Sequence, residues 1–222
     1  MRFLSIKHQL RLKATIILTV LTVLILAQPA TAHHPFGGET PSNFFEGFLS
    51  GLGHPIIGLD HFAFILAVGL LGTKVKQGFL IPIAFILATM IGTGIHLQAI
   101  ELPYPEMIIA TSVIVFGGLL ASKKYNFFSF SLSTIIVATI AIIAGIFHGY
   151  AYGEAVIGAE MNPIVAYLAG FAIIQLLCSF AALVLAIFMS QQFQDKTNFI
   201  LRMIGLGISG IGFVFFAFAF GA

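Results

Sequence analysis

The sequence predicts an all-α membrane protein, and three observations carry that prediction. Of its 222 residues, 59% are hydrophobic and only 8% are charged, whereas a soluble domain usually has about 25% charged residues. The apolar residues fall into six segments, each close to the ~20 residues that a helix needs to cross a bilayer. Short polar turns separate these segments. We therefore expect one domain of six transmembrane helices, with almost the whole chain in lipid.

Charge and cysteine content exclude other classes of protein. The formal net charge is +2, and the basic residues are spread over the turns instead of forming a basic face, so we expect no nucleic-acid partner. The chain has 1 cysteine, Cys178. One thiol provides neither a disulfide framework nor a CxxC metal site.

The N-terminal region has the three parts of a secretory signal peptide. Four basic residues precede an apolar core at 14–26, and Ala30-Thr31-Ala32 matches an A-x-A cleavage site. We expect residues 1–32 to be removed, with an uncleaved first helix as the alternative. Residues 33–53 would then form a short exported segment, and residues 54–222 the six-helix domain.

The distribution of charge predicts the orientation of the helices. We place the six spans near 55–72, 78–99, 104–121, 129–151, 163–189 and 198–220. All basic residues after the signal peptide fall in or near odd-numbered turns: Lys74, Lys76, Lys123, Lys124, Lys196 and Arg202. Even-numbered turns carry glutamates instead. By the positive-inside rule the odd-numbered turns are cytoplasmic, so both chain ends lie on the exported side.

This topology places seven ionisable side chains in one layer near the exported ends of the helices. Members of the layer are His54, Asp60, His61, His96, Glu106, His148 and Glu154. Ionisable groups in membrane helices are costly, and they usually face the bundle interior and serve an ion or substrate path. Imidazole and carboxylate together suit divalent first-row metals. The N-terminal pair His33-His34 would add a mobile chelating group.

Spacing limits how the first motif can bind an ion. On a straight helix His54 and His61 would lie about 10 Å apart along the axis, while metal–nitrogen bonds are about 2.1 Å. Pro55 favours the first helical position, which makes His54 a residue before the helix or its cap. A plainer interpretation treats His54 as a cap only, and Asp60 with His61 as a structural pair.

A second stretch rich in histidine and glycine lies in the fourth span. His148 and Glu154 would be about 120° apart on a regular helix, and we expect Gly149 and Gly153 to unwind that end. The two motifs lie at opposite ends of the first and fourth spans, as in two inverted halves of three helices each. The glycines at 117–118 and 205–212 indicate helix packing surfaces.

Two polar residues lie in otherwise apolar segments. Ser112 and Thr93 would hydrogen-bond between helices or lend an oxygen to the path.

The two motifs in order resemble those of the HupE/UreJ family of nickel permeases. The first reads His54-Pro55-x-x-Gly58-x-Asp60-His61 and the second Phe147-His148-Gly149-x-Ala151. The signal sequence, the six spans and the Glu106-x-x-x-x-x-Ser112 helix are similar too. The resemblance implies uptake of Ni²⁺, or in some members Co²⁺, across the bacterial inner membrane to supply enzymes such as hydrogenase or urease.

The resemblance also implies which positions matter. These are His54, Asp60, His61, His148 and a glutamate near 154. Two departures stand out: Ile65 replaces a common methionine, and Tyr152 replaces a frequent second histidine. In the family a glutamate follows one place later than Glu154, so either Glu154 or Glu160 is the counterpart.

We therefore expect a metal permease without enzymatic activity or a prosthetic group. Its partners would be the divalent ion, the lipid bilayer and metalloenzyme maturation proteins. The predicted metal ligands are His54, Asp60, His61, His148 and Glu154, with His96, Glu106, His33 and His34 as secondary candidates. One alternative is an intramembrane zinc hydrolase in which Ser112 or Glu106 takes part in the chemistry. The other is an accessory membrane protein that only holds metal.

Overall fold

The computed structural model describes residues 39–122 and 130–221, and within them the chain is helical with no strand. The helices are α1 Phe44–Ile57, α2 Leu59–Leu71, α3 Leu80–Leu97, α4 Pro105–Ala121, α5 Phe130–Gly153, α6 Met161–Gln192 and α7 Gln194–Gly221. Short 3-10 turns follow α2 at Gly72–Lys74 and α5 at Glu154–Val156. The predicted signal peptide and the pair His33-His34 lie outside the described residues.

Several of these helices are suited to a lipid environment. Four contain stretches long and apolar enough to cross a membrane, namely Leu80–Leu97, Thr134–Val156, Met161–Gln192 and Lys196–Gly221. Together α1 and α2 form one more apolar unit, bent by 80° at its break, and α4 is a shorter apolar helix. The prediction of an all-α integral membrane protein is confirmed, while the count of six spans stays a prediction.

The predicted first span, 55–72, is wrong in its start and its shape. Helix α1 begins at Phe44 because the Asn43 side chain accepts a hydrogen bond from the Glu46 backbone N–H at 3.0 Å. In return, the Glu46 carboxylate accepts bonds from the backbone N–H and hydroxyl of Ser42, each at 2.8 Å. Such reciprocal capping fixes a helix start. His54 therefore lies in the last turn of α1, not before the first helix.

The break between α1 and α2 lies at Gly58. Its backbone is extended, with φ −69° and ψ 102°, so the helical hydrogen-bond pattern stops and restarts around it. A Cβ atom at this position would lie only 2.6 Å from His61 Cδ2. Glycine thus allows the imidazole of His61 to pack directly against the backbone at the bend.

Glycines also bring three pairs of helices into close contact: α1 with α6, α3 with α5, and α4 with α7. A side chain at Gly51, Gly149 or Gly205 would collide with backbone atoms of the partner helix. Small residues permit this approach in membranes, so the predicted packing role of Gly205 is confirmed. The expectation that Gly149 unwinds its helix is wrong, because α5 continues to Gly153.

Helix α2 forms the centre of the bundle. Nine of its residues are buried, and it packs against α3, α4, α6 and α7. Its Phe64 meets Phe85 of α3 and Phe116 of α4, with ring centroids 5.0 and 4.5 Å apart. An apolar aromatic core therefore lies directly below the histidine end of α2.

Two basic residues meet at the C-terminal end of α4. The Lys74 ammonium donates to the carbonyl of Leu120 at 2.7 Å, and Arg202 Nε donates to that of Ala121 at 3.2 Å. Cations stabilise the carbonyl end of a helix. The fold thus brings basic residues from two odd-numbered turns to one end of the bundle.

Candidate metal centre

Three histidines from three helices meet in the interior of the bundle. His54 ends α1, His61 begins α2 and His148 lies near the end of α5, and their exposed fractions are 4%, 6% and 0%. The Nδ1 atoms of His61 and His148 are 2.8 Å apart. The ring centroids of His54 and His61 are 6.1 Å apart. We call these three residues the histidine cluster.

A directed chain of hydrogen bonds fixes the protons of His61 and His148. The Ser112 hydroxyl donates to the carbonyl of Ile109 at 2.6 Å, and a carbonyl can only accept. The single hydroxyl proton is therefore committed, so His148 Nε2–H must donate to Ser112 Oγ, 3.0 Å away. His148 Nδ1 is then an acceptor, and it receives the bond from His61 Nδ1–H.

A second chain fixes the proton of His54. The Tyr167 hydroxyl donates to the carbonyl of Tyr152 at 2.9 Å, which again commits the only hydroxyl proton. His54 Nδ1, 2.9 Å from the same phenol oxygen, must therefore be the donor. Both chains start from a backbone carbonyl, so the helices themselves set the histidine tautomers.

The two chains make Nδ1 the donor in both His54 and His61. In a neutral imidazole the other nitrogen, Nε2, is the acceptor. Histidines that bind metals show this pattern, because an acceptor on one nitrogen holds the ring and makes the other nitrogen more basic. His148 uses both nitrogens in the first chain. It therefore orients His61, and it would have to break a bond to become a ligand itself.

The surroundings of the cluster are aromatic and apolar. Phe64 and Phe85 contact the His148 ring, with centroids 4.5 and 5.7 Å away. The fully buried ring of Tyr152 lies 4.6 Å from His61 and 5.2 Å from His54. The cluster is shielded from bulk solvent, so nearby charges interact more strongly than they would in solution.

The other predicted ligands are distributed unevenly. Asp60 is half-buried beside the cluster, and its carboxylate accepts a bond from the His61 backbone N–H at 2.9 Å. Glu106 and Glu154 are exposed at the starts of α4 and of the second 3-10 turn. That Glu106 and Glu154 are metal ligands stays a prediction, because no described contact joins either side chain to the histidine cluster.

His96 belongs to a separate surface pocket. Its Nδ1 lies 2.7 Å from the carbonyl of Tyr150, and the two rings are in contact at a tilt of 41°, with centroids 4.2 Å apart. The pocket, of about 320 Å³, is also lined by Glu101.

Within residues 39–122 and 130–221, no three His, Cys, Asp or Glu side chains form a group that could hold one ion.

Sequence reasoning identified part of the supporting structure. The predicted interhelical bonds of Ser112 and Thr93 are confirmed, since Thr93 also donates to the carbonyl of Gly149 at 2.7 Å. It missed Tyr167, which is 113 residues from His54. The signal in the sequence was the Tyr167 hydroxyl, a polar group within an otherwise apolar helix. Tyr152 was noticed only as a departure from the family motif.

Comparisons with known proteins identify the family of the chain. The family model HupE / UreJ protein matches residues 21–215. Protein HupE of Rhizobium leguminosarum bv. viciae is 32% identical over 152 residues, which is 68% of this chain and 73% of that relative. No solved structure matches the chain. The chain belongs to the HupE/UreJ family, whose members are permease-like accessory membrane proteins and not enzymes.

Proposed function

We propose that this protein carries Ni²⁺, with Co²⁺ as the alternative cargo, across the bacterial inner membrane toward the cytoplasm. The ion would supply metalloenzymes such as hydrogenase or urease, with their maturation proteins as partners. Membership in a family associated with nickel and cobalt handling supports this cargo. The observation that carries the proposal is the buried cluster itself, in which the imidazoles of His54, His61 and His148 from three helices meet beside the Asp60 carboxylate.

The chemistry of His54 and His61 suits transient binding. Imidazole is a favoured ligand of nickel and cobalt, and the Asp60 carboxylate offsets part of the ion's charge. Two imidazoles leave other coordination positions to water, so the ion gives up only part of its hydration shell. A site that binds weakly enough to release its ion suits permeation, whereas a structural metal site is closed by protein ligands.

The proposed topology has six spans, both chain ends on the exported side and a cleaved signal peptide. The bent pair α1 and α2 would form the first span and α4 the third. An inward-moving divalent cation would gain about 2.3 kcal/mol per elementary charge for each 100 mV of membrane potential. The potential is therefore a sufficient driving force in this proposal.

Uptake of ⁶³Ni²⁺ into proteoliposomes with an inside-negative potential tests the function. We expect uptake by the unsubstituted protein and loss of at least tenfold in His61→Ala, because the variant lacks the central imidazole of the cluster. His96→Ala is the matched control, since the His96 ring contacts Tyr150 outside the cluster. Equal uptake by His61→Ala and the unsubstituted protein would contradict the proposal.

An assay with the same vesicles distinguishes transport from the alternative of an accessory protein that only holds metal. A transported ion enters the lumen and stays there when an impermeant chelator is added outside. A metal that is only held at the outer surface is removed by that chelator. The alternative of an intramembrane zinc hydrolase is excluded, because members of the HupE/UreJ family are not enzymes.

A further inference from the structure

Two buried polar atoms have no hydrogen-bond partner among the described residues: the Tyr152 hydroxyl and Gln175 Oε1. Both side chains are 0% exposed. Leaving a buried acceptor unsatisfied costs about 1–3 kcal/mol, and native proteins have few such groups. The Tyr152 ring packs against the histidine cluster already described, so Gln175 is the unexplained case.

The orientation of the Gln175 amide is fixed by its neighbours. Its Nε2 donates to the carbonyl of Phe171 at 3.1 Å and lies 3.5 Å from Thr89 Oγ1. The Thr89 hydroxyl itself donates to the carbonyl of Ile86 at 2.7 Å, so Thr89 Oγ1 acts as an acceptor here. Exchanging the amide N and O would set two acceptors against each other. Oε1 therefore faces away from both neighbours.

Gln175 continues a buried stripe that starts at the histidine cluster. Tyr167, Phe171, Gln175 and Ser179 follow one another at four-residue intervals on α6, and all are buried. Tyr167 bonds to His54, and Gln175 lies two turns further on, about 12 Å along the axis. The Phe171 ring lies between them and contacts Tyr167 and Tyr152, with centroids 5.5 and 5.6 Å away.

Position along the helix distinguishes Gln175 from the cluster. Helix α6 has 32 residues, and Gln175 is close to its midpoint. An unsatisfied amide oxygen thus lies near the middle of the apolar span, where polar groups are most costly and usually serve a path.

We propose that Gln175 is an inner step of the metal path, at which Oε1 coordinates the divalent cation after it leaves the histidine cluster. The Phe171 ring separates the two steps. An amide oxygen is a poorer ligand for nickel than imidazole, so the ion would stay only briefly and continue inward. This inference rests on the proposed transport function.

Gln175→Leu tests the step, with Gln191→Leu as its matched control. Leucine fills similar space without an amide, and Gln191 is an exposed residue of the same helix. In proteoliposomes we expect Gln175→Leu to lower ⁶³Ni²⁺ uptake at least tenfold, while Gln191→Leu matches the unsubstituted protein. Equilibrium Ni²⁺ binding to the purified Gln175→Leu protein should be unchanged, because the histidine cluster is intact.

Gln175→Glu separates a path role from a structural one. A carboxylate keeps an oxygen for the cation, so a path role predicts more uptake by Gln175→Glu than by Gln175→Leu. A structural role predicts the reverse order, since a buried charge is costlier than a leucine. If Gln175→Leu fails to fold, uptake of ⁶³Ni²⁺ by Gln175→Glu becomes the test. Absence of uptake by Gln175→Glu would then overturn the inference.

The outcomes distinguish the two proposals. No uptake by the unsubstituted protein overturns transport and, with it, the inner step. Uptake that Gln175→Leu leaves unchanged overturns the inner step alone.

Discussion

At the scale of single residues, backbone carbonyls decide the chemistry of the histidine cluster. Ile109 and Tyr152 provide the carbonyls that commit one hydroxyl proton each, in Ser112 and Tyr167. Those commitments pass through the hydrogen bonds to the imidazoles and make Nδ1 the donor in His54 and His61. A histidine's readiness to bind metal here depends on residues that never touch the ion.

Tyr167→Phe tests this dependence. Removing the phenol oxygen leaves His54 Nδ1 without the acceptor that fixes its tautomer. Loss of such a supporting bond typically costs 10–100-fold in metal affinity, and we expect a Kd for Ni²⁺ raised by about that factor, measured by calorimetry on purified protein. Tyr104→Phe is the control, because Tyr104 is 73% exposed. An unaltered Kd in Tyr167→Phe would contradict the tautomer argument.

The sequence identified His54, His61 and His148 because residue type and topology are visible without coordinates. It grouped Glu106 and Glu154 with them for the same reason, yet both side chains are exposed. Charge patterns predict the depth of a residue in the bilayer, but not the direction in which it faces around the helix. That direction depends on packing between helices distant in sequence, as for Tyr167 and His54.

At the scale of elements, the break at Gly58 is the main departure from expectation. Pro55 suggested a helix start, although Asn43 and Glu46 already had the spacing of a capping pair. The low hydropathy of residues 44–53 outweighed this local signal, because the segment contains two polar residues, Glu46 and Ser50, and three glycines. The bend itself depends on tertiary packing, since Gly58 is needed to make room for the His61 ring.

Gly58→Ala tests the role of the bend. The added methyl would meet His61 Cδ2 at 2.6 Å, so we expect the ring to shift and ⁶³Ni²⁺ uptake to fall at least tenfold. Gly94→Ala is the control, because a Cβ there meets nothing within 4 Å, and alanine within a helix stabilises by up to about 1 kcal/mol. Full uptake by Gly58→Ala would show that the tight contact has no functional role.

At the scale of the whole molecule, the helix pairing has an internal order. If α1 and α2 count as one span, the three close pairs join spans one and five, two and four, and three and six. If the first three spans are exchanged in order with the last three, the pair of spans one and five becomes the pair of spans four and two. The pair of spans three and six stays the same. This pairing supports the proposed inverted halves, which stay a prediction.

Side-specific labelling tests the proposed orientation. In a Cys178→Ala background, we expect an impermeant maleimide to label Glu160→Cys in intact cells and to label Lys196→Cys only after lysis. Both positions are exposed; Glu160 is the N-cap of α6, and Lys196 lies in the first turn of α7, just beyond the other end of α6. The reverse pattern would invert the topology, and labelling of both in intact cells would contradict a transmembrane α6.

The bend at Gly58 also has an electrostatic consequence. Helix α1 ends and α2 begins within two residues, so the partially negative carbonyl end of one helix adjoins the partially positive amide end of the other. Asp60, in the first turn of α2, offsets that positive end. A cation approaching the bend therefore meets an attractive field on the α1 side, where His54 lies, and a neutralised one at His61. The folded backbone itself thus ranks the two imidazoles in the order in which an ion would meet them.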